Sequence, residues 1–418
     1  MKNYLPYSIV HVKLNEQLAL PKPDTAKQGL YLVFWWHNLA IGDLYLQPGY
    51  TPSKTEYQQK FIQAILPTLR HYAGLQQQQT NCLQHLHEAS AGELLTAMQT
   101  VLSGFEVTST PEQVPISVVV CTRNRPEHLH NCLLMLSNLI CSPAEIVVVD
   151  NAPSNDLSQE IVAQFEKVVY VREHRIGLDI ARNTGIRQAK YEVVAFTDDD
   201  VTVHPLWAYQ VWQTFMNPGI DAMTGLVIAK ELQTEAQYIF EKYWSFNRGY
   251  ADVRYDSAFI KKASRYGPPV WEIGAGANMA FRKSIFERVG YFNELLDVGA
   301  AGCSGDSEMW YRILVGGYAI QYNPRAIVFH EHRRETKGLK RQIYYYMRGH
   351  AAAALIQQRQ QREAGYYRHL FRRLPKQYGS MLRKGFPGYH YRYSTLWAEM
   401  LGVVSGLLFY LKNKHYQP

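Results

Sequence analysis

Three consecutive carboxylates, Asp198-Asp199-Asp200, close the apolar run Val193-Val194-Ala195-Phe196-Thr197. Adjacent carboxylates repel, and a chain rarely gathers them at the end of a buried strand without a cation. Alternation would turn Asp198 and Asp200 to one side and Asp199 to the other. Two hard oxygen ligands on one side, with room for water and phosphate, suit Mg2+ or Mn2+. The competing reading is a solvated acidic turn. Asp150 ends a second buried run, where it can accept hydrogen bonds from a nucleobase or ribose unless it only caps the next helix. Arg123, Arg125, Arg175 and Arg182 are candidate cations for phosphates near these acids. In Gly274-Ala275-Gly276-Ala277-Asn278, small residues let backbone amides approach a diphosphate or sugar; a plain tight turn is the alternative.

These groups need elements to hold them. From Ile116 onward, buried-strand runs alternate with amphipathic helices. The strands are Ile116 to Val120, Glu145 to Asn151, Val168 to Val171 and Glu192 to Phe196. Such an order implies an α/β, mostly parallel, doubly wound sheet. Ligands of these sheets bind outside the carboxyl ends of the strands, where Thr122, Arg123, Asp150 and Asp198 to Asp200 all fall. No glycine-rich dinucleotide or P-loop pattern opens the first helix. Asp306 and Glu308 precede Met309, Tyr311, Ile313 and Leu314, a spacing that starts a helix and puts Asp306 at its N-terminus.

The order of these motifs resembles the family 2 glycosyltransferases with the GT-A fold. The matching stretches are Val118 to Pro126, Val148 to Asn151, Gly177 to Gly185, Thr197 to Asp200, Gly274 to Arg282 and Gly305 to Arg312, within Ile116 to Arg334. The resemblance implies a nucleoside-diphosphate-sugar donor, with Asp150 on the base and Asp198 and Asp200 as the D-x-D metal site for Mn2+ or Mg2+. The expected donor contacts are Thr122, Arg123, Arg125, Asp150, Arg182, Asn183, Asp198, Gly276 and Ala277. A late histidine often joins the metal in such enzymes, and His330, first polar residue after an apolar strand, fits best. The base of an inverting displacement falls on Asp306. The family often carries Glu before that Asp, where this chain has Gly305, so Glu308 stays open as a second candidate. Transfer to a glycan or lipid-linked hydroxyl is the expected reaction. The alternatives are a nucleotidyltransferase, which usually opens with a glycine-rich loop that Cys121 to Pro126 lacks, and a non-catalytic nucleotide-sugar-binding scaffold.

Around this GT-A-like unit, expected over residues 111–335, the sequence suggests a small N-terminal α+β module (1–110) and a helical basic region (336–418). In the first, Trp35 and Trp36 lie in a strand-like run and read as core rather than as a sugar platform. Leu296 to Ser304, with its small residues, reads as a loop over the site. From Lys340 to Thr395 there are 12 Lys or Arg and one acid, so the net charge of +8 belongs to this region and the remainder carries −3. Interleaved with Tyr366, Tyr367, Phe371 and Tyr378, these cations suit peripheral contact with the cytoplasmic membrane face. No nucleic-acid module accompanies them. Five cysteines, none in a C-x-x-C pair, point to a reducing, cytoplasmic setting, as does a first stretch, Met1 to Leu14, without an apolar signal region. Trp397 to Leu411 is apolar but short for a bilayer span.

Overall fold

The computed structural model describes residues 4–415 apart from 17–19, 23–27, 77–82, 84–85, 87–88 and 264; Cys82 lies outside the described residues. Twelve strands occur among them: β1 (Tyr7–Lys13), β2 (Gly29–Trp36), β3 (Leu39–Leu46), β4 (Gln113–Thr122), β5 (Ser142–Asn151), β6 (Val168–Glu173), β7 (Val193–Asp198), β8 (Val201–Val203), β9 (Ala222–Ala229), β10 (Val253–Tyr255), β11 (Asn278–Arg282) and β12 (Ile320–His330). The main sheet has the order β10-β12-β9-β11-β7-β4-β5-β6, with β8 paired to β12. Strands β7, β4, β5 and β6 run parallel. β11 then enters antiparallel between β7 and β9, and β12 pairs parallel with β9.

The chain leaves β4 to build β5 and β6 on one side, then returns to place β7 on the other. The connections diverge at the β4–β7 seam and leave a crevice at its carboxyl end. Thr122 and Asp198 end these two strands, so register alone brings both to that crevice.

Both faces of the sheet are covered. Val118, Val120 and Ile116 pack with Leu129, Leu133 and Leu136 of the Pro126–Ser137 helix on one face. Val119, Val147 and Val149 pack on the other with Ala181, Ile186, Met309, Trp310 and Ile313. Burying each such large aliphatic side chain contributes about 1.5–3 kcal/mol. The second core also takes in Met347, Ala351, Tyr366, Leu374, Leu396 and Val403, so the C-terminal helices close the same apolar layer as the sheet.

The N-terminal strands β1, β2 and β3 form a separate three-stranded sheet. β2 is buried along its whole length because both of its faces are covered. Leu32, Phe34 and Trp36 face a core shared with the Lys54–Leu75 and Ala91–Leu102 helices. Tyr31, Val33 and Trp35 face Leu226, Ile228 and Ile327 of the main sheet. Both tryptophans are core residues whose indole N–H groups donate to His11 and Glu106.

One expectation needs correction. The helix at the C-terminus runs Leu396–Asn413, and an 18-residue stretch within Tyr391–Asn413 has a mean hydropathy of 1.4, enough by length and composition alone to cross a membrane. A third of that window is buried within the fold.

Candidate active site

The acidic triplet divides as alternation requires, with Asp199 turned inward. It accepts from Thr122 Oγ1 at 2.7 Å and from Arg125 Nη1 at 2.7 Å. Arg125 also reaches Asp200 Oδ2 at 3.0 Å. Thr122 and Arg125 therefore brace the triplet, while Arg123 stands exposed just beyond β4. No described side chain donates to Asp198. Burial, and then the charge of Asp200, push its carboxyl up to about 7. For Asp200 burial acts upward, but His330 and Arg125 outweigh it and hold the group below the usual carboxylate range.

His330 lies at the end of a polar relay. His332 Nε2 stands 2.8 Å from Glu241 Oε2, and its Nδ1 stands 3.0 Å from His330 Nδ1. A carboxylate only accepts, so His332 Nε2 carries the hydrogen. The Nδ1 of a singly protonated His332 then accepts from His330 Nδ1, leaving a lone pair on His330 Nε2. Burial, and then His332, lower the His330 imidazole to about 4, so it is neutral near pH 7.

Behind the triplet, Asp179 and Asp297, which the sequence does not single out, join Arg182, Gly276 and Asp306 in one cluster. Arg182 Nη1 donates to Asp179 Oδ1 at 2.9 Å and to Asp297 Oδ2 at 2.6 Å. Asp179 and Arg182 lie three residues apart on the Leu178–Gln188 helix and so share a face. Asp297 comes from the loop 296–304 and has no sequence signal beyond being an acid among small residues. A Cβ at Gly276 would lie 2.9 Å from Arg182 Nη2 and 3.1 Å from Asp306 Oδ2. The Gly276 backbone thus lies against both groups, and a side chain there would have to displace one of them. Asp306 Oδ1 accepts from the Ser307 N–H at 2.6 Å at the start of the Gly305–Val315 helix. Burial, and then Asp297, raise the Asp306 carboxyl above its ordinary value.

Gly305 also has a spatial reason. A Cβ there would lie 1.9 Å from Asp179 Oδ2. The Asp179 carboxylate thus fills the room that a side chain at 305 would need. Its Oδ2 is buried without a hydrogen-bond partner.

Other sequence candidates make contacts of their own. Glu308 is fully buried, accepts from Arg312 Nε at 2.9 Å on both oxygens, and takes a further bond from Gln360 at 3.1 Å. Two residues of helix turn it about 200° from Asp306. Asn183 exchanges hydrogen bonds with the Phe292 backbone, both at 2.9 Å. Arg175 pairs with Glu294. Asp150 is buried at the end of β5, where Oδ2 accepts from Tyr170 at 3.0 Å and Oδ1 has no partner. Ala277 is buried beside Gly276 in the turn.

Residues 117–290 match the family model for glycosyl transferase family 2. This segment is a family 2 glycosyltransferase domain. It contains Thr122 through Ala277 of the candidate site, while Asp306 and His330 lie beyond the matched residues. The chain is 27% identical over 235 residues to glycosyltransferase AglE of Haloferax volcanii, covering 54% of this chain and 70% of that protein. It is 23% identical over 250 residues to a pre-mycofactocin glycosyltransferase of Mycobacterium tuberculosis, covering 59% of this chain and 48% of that one. A solved mannosyltransferase from Pyrobaculum calidifontis, in complex with GDP-Man and Mn2+, superposes with a TM-score of 0.41 at 17% identity, over 74% of this chain and 77% of that one.

A divalent ion at the glycosyltransferase domain's triplet can be tested against the side chains. Among the described residues no three His, Cys, Asp or Glu groups stand together closely enough to hold an ion by themselves. Asp198, with no side-chain donor, and Asp200 by themselves offer two hard carboxylate oxygens at the end of β7. Mg2+ and Mn2+ accept such partial sets, completing their shells with water and substrate phosphate.

Proposed function

We propose that the chain transfers a sugar from a nucleoside-diphosphate donor to an acceptor hydroxyl with inversion, residues 111–335 being the catalytic unit. The observation that carries the reading is the meeting of Arg182, Asp306 and the Gly276 backbone at one point beside the acidic triplet. Asp306 Oδ2 accepts the acceptor's hydroxyl proton, and its raised basicity suits that task. Arg182, held between Asp179 and Asp297, keeps Asp306 in place and balances its charge. The unpartnered Oδ1 of Asp150 accepts from the donor's base or ribose, and the Gly276-Ala277 backbone meets the donor's sugar or diphosphate. Asp198, Asp200 and His330 would hold Mn2+ or Mg2+, which offsets charge on the departing nucleoside diphosphate.

The test incubates the full chain with nucleoside-diphosphate sugars, Mn2+ and candidate glycan or lipid-linked hydroxyl acceptors. Release of nucleoside diphosphate coupled to glycosylated acceptor is the expected result. Release of pyrophosphate instead would mark a nucleotidyltransferase, and binding without turnover would mark a scaffold.

A further inference from the structure

We propose that the exposed face of the C-terminal helix, Leu396–Asn413, lies flat on an anionic lipid bilayer; only its bearing on the acceptor rests on the transfer reaction proposed above. Trp397, Leu401, Val404, Leu408 and Leu411 are each more than half exposed. Their spacing of four, three, four and three residues puts all five on one side of the helix, over a length of about 21 Å. Phe386, 74% exposed, extends the patch. Its loop adjoins the head of the stripe, because the rings of Tyr389 and Trp397 lie 6.4 Å apart.

The opposite face of the helix is fixed in the protein. A Cβ at Gly402 would stand 2.4 Å from the Tyr344 carbonyl oxygen, and one at Gly406 2.3 Å from that of Arg348, so the backbone nests against the long Thr336–Gln360 helix. Glu399, the one acid of the helix, is buried and paired with Arg392 and Thr395. The stripe therefore carries no acid. A crossing orientation would expose Glu399 and break the nested packing, whereas an interfacial one keeps both.

Charge selects the occupant. Exposed Arg383 and Lys384 precede the stripe, and Lys412 and Lys414 follow it. A second copy docking through this face would oppose like charges, while acidic headgroups neutralise them. Trp397 and Tyr391 are amphipathic side chains suited to the headgroup boundary. The other side of the long helix approaches the candidate site. A Cβ at its Gly349 would stand 2.3 Å from the Cys303 carbonyl oxygen, three residues before Asp306. One helix thus separates the docking face from the proposed base, which suits an acceptor presented at a bilayer surface.

Flotation of the full chain with phosphatidylcholine vesicles, with and without phosphatidylglycerol, tests this. Binding to the anionic vesicles at low salt is expected, with a drop of about tenfold or more in Leu401→Glu/Leu408→Glu and a weaker loss in Arg383→Gln/Lys384→Gln. Both pairs are exposed, and an unchanged circular dichroism spectrum would confirm that they fold. No wild-type binding at low salt, or equal binding of the Glu variant, overturns the proposal. Conversion of a dimer to a monomer by that variant, without vesicle binding, would assign the face to a second copy and overturn it as well. Vesicle binding by a chain without transfer activity would remove the proposed reaction and leave this inference standing.

Discussion

Asp179 Oδ2 occupies the position that a side chain at Gly305 would take: a Cβ there would come within 1.9 Å of it. The missing side chain and the extra carboxylate are two halves of one packing solution. Gly305→Ala should destabilise the fold by about 1–3 kcal/mol through overpacking. In Asp179→Ala the same substitution should cost much less, giving a coupling of about 0.5–3 kcal/mol in a urea double-mutant cycle. Additive costs would mean that the two residues do not compete for the same space.

Asp306→Asn keeps the shape and the Ser307 contact while removing the acceptor of the proton. Turnover should fall about 10²–10⁴-fold. Donor affinity, read by calorimetry with the intact nucleotide sugar, should stay near that of the wild type. A variant that turns over normally would end the assignment of Asp306 as base.

Two raised carboxyls give distinct pH behaviour. Burial and Asp297 hold Asp306 above 3.8, so the acid limb of kcat/KM should lie above that value, with activity lost as pH falls through it. For stability, Asp198 has a folded value of about 7 against an ordinary 3.8. The fold then binds this proton more tightly than the unfolded chain, and the resulting stability is lost as pH rises through about 7. In EDTA the Tm should therefore drop between about pH 6 and about pH 8, and Mn2+ should raise it more at the higher pH. Asp198→Asn should flatten both responses; a Tm in EDTA that does not fall with pH would refute the Asp198 account.

Glu241 acts on His330 only through His332. Glu241→Leu should leave His330 free to change tautomer, visible as altered imidazole 15N shifts, and weaken Mn2+ binding by about 10–100-fold in an electron paramagnetic resonance titration. Glu241→Asp should recover part of both. Unchanged 15N shifts in the folded Leu variant would show that the relay does not set the tautomer.

The apolar runs of β4, β5 and β7, with the helices between them, made the α/β sheet legible in the sequence, because strand periodicity and alternation are local properties. The same locality placed Thr122, Asp150 and Asp198 at strand ends and separated Asp199 from its neighbours. Family resemblance picked out Asp306 ahead of Glu308. What local pattern could not supply was partnership over long separations. Arg182 meets Asp297 across 115 residues and His332 meets Glu241 across 91, and no spacing rule reaches that far. Tertiary packing also tied Glu308 to Arg312, turned Asn183 to the Phe292 backbone, and exposed one face of the C-terminal helix while nesting the other. Sequence determined which residues could do chemistry; burial and close approach decided which of them meet.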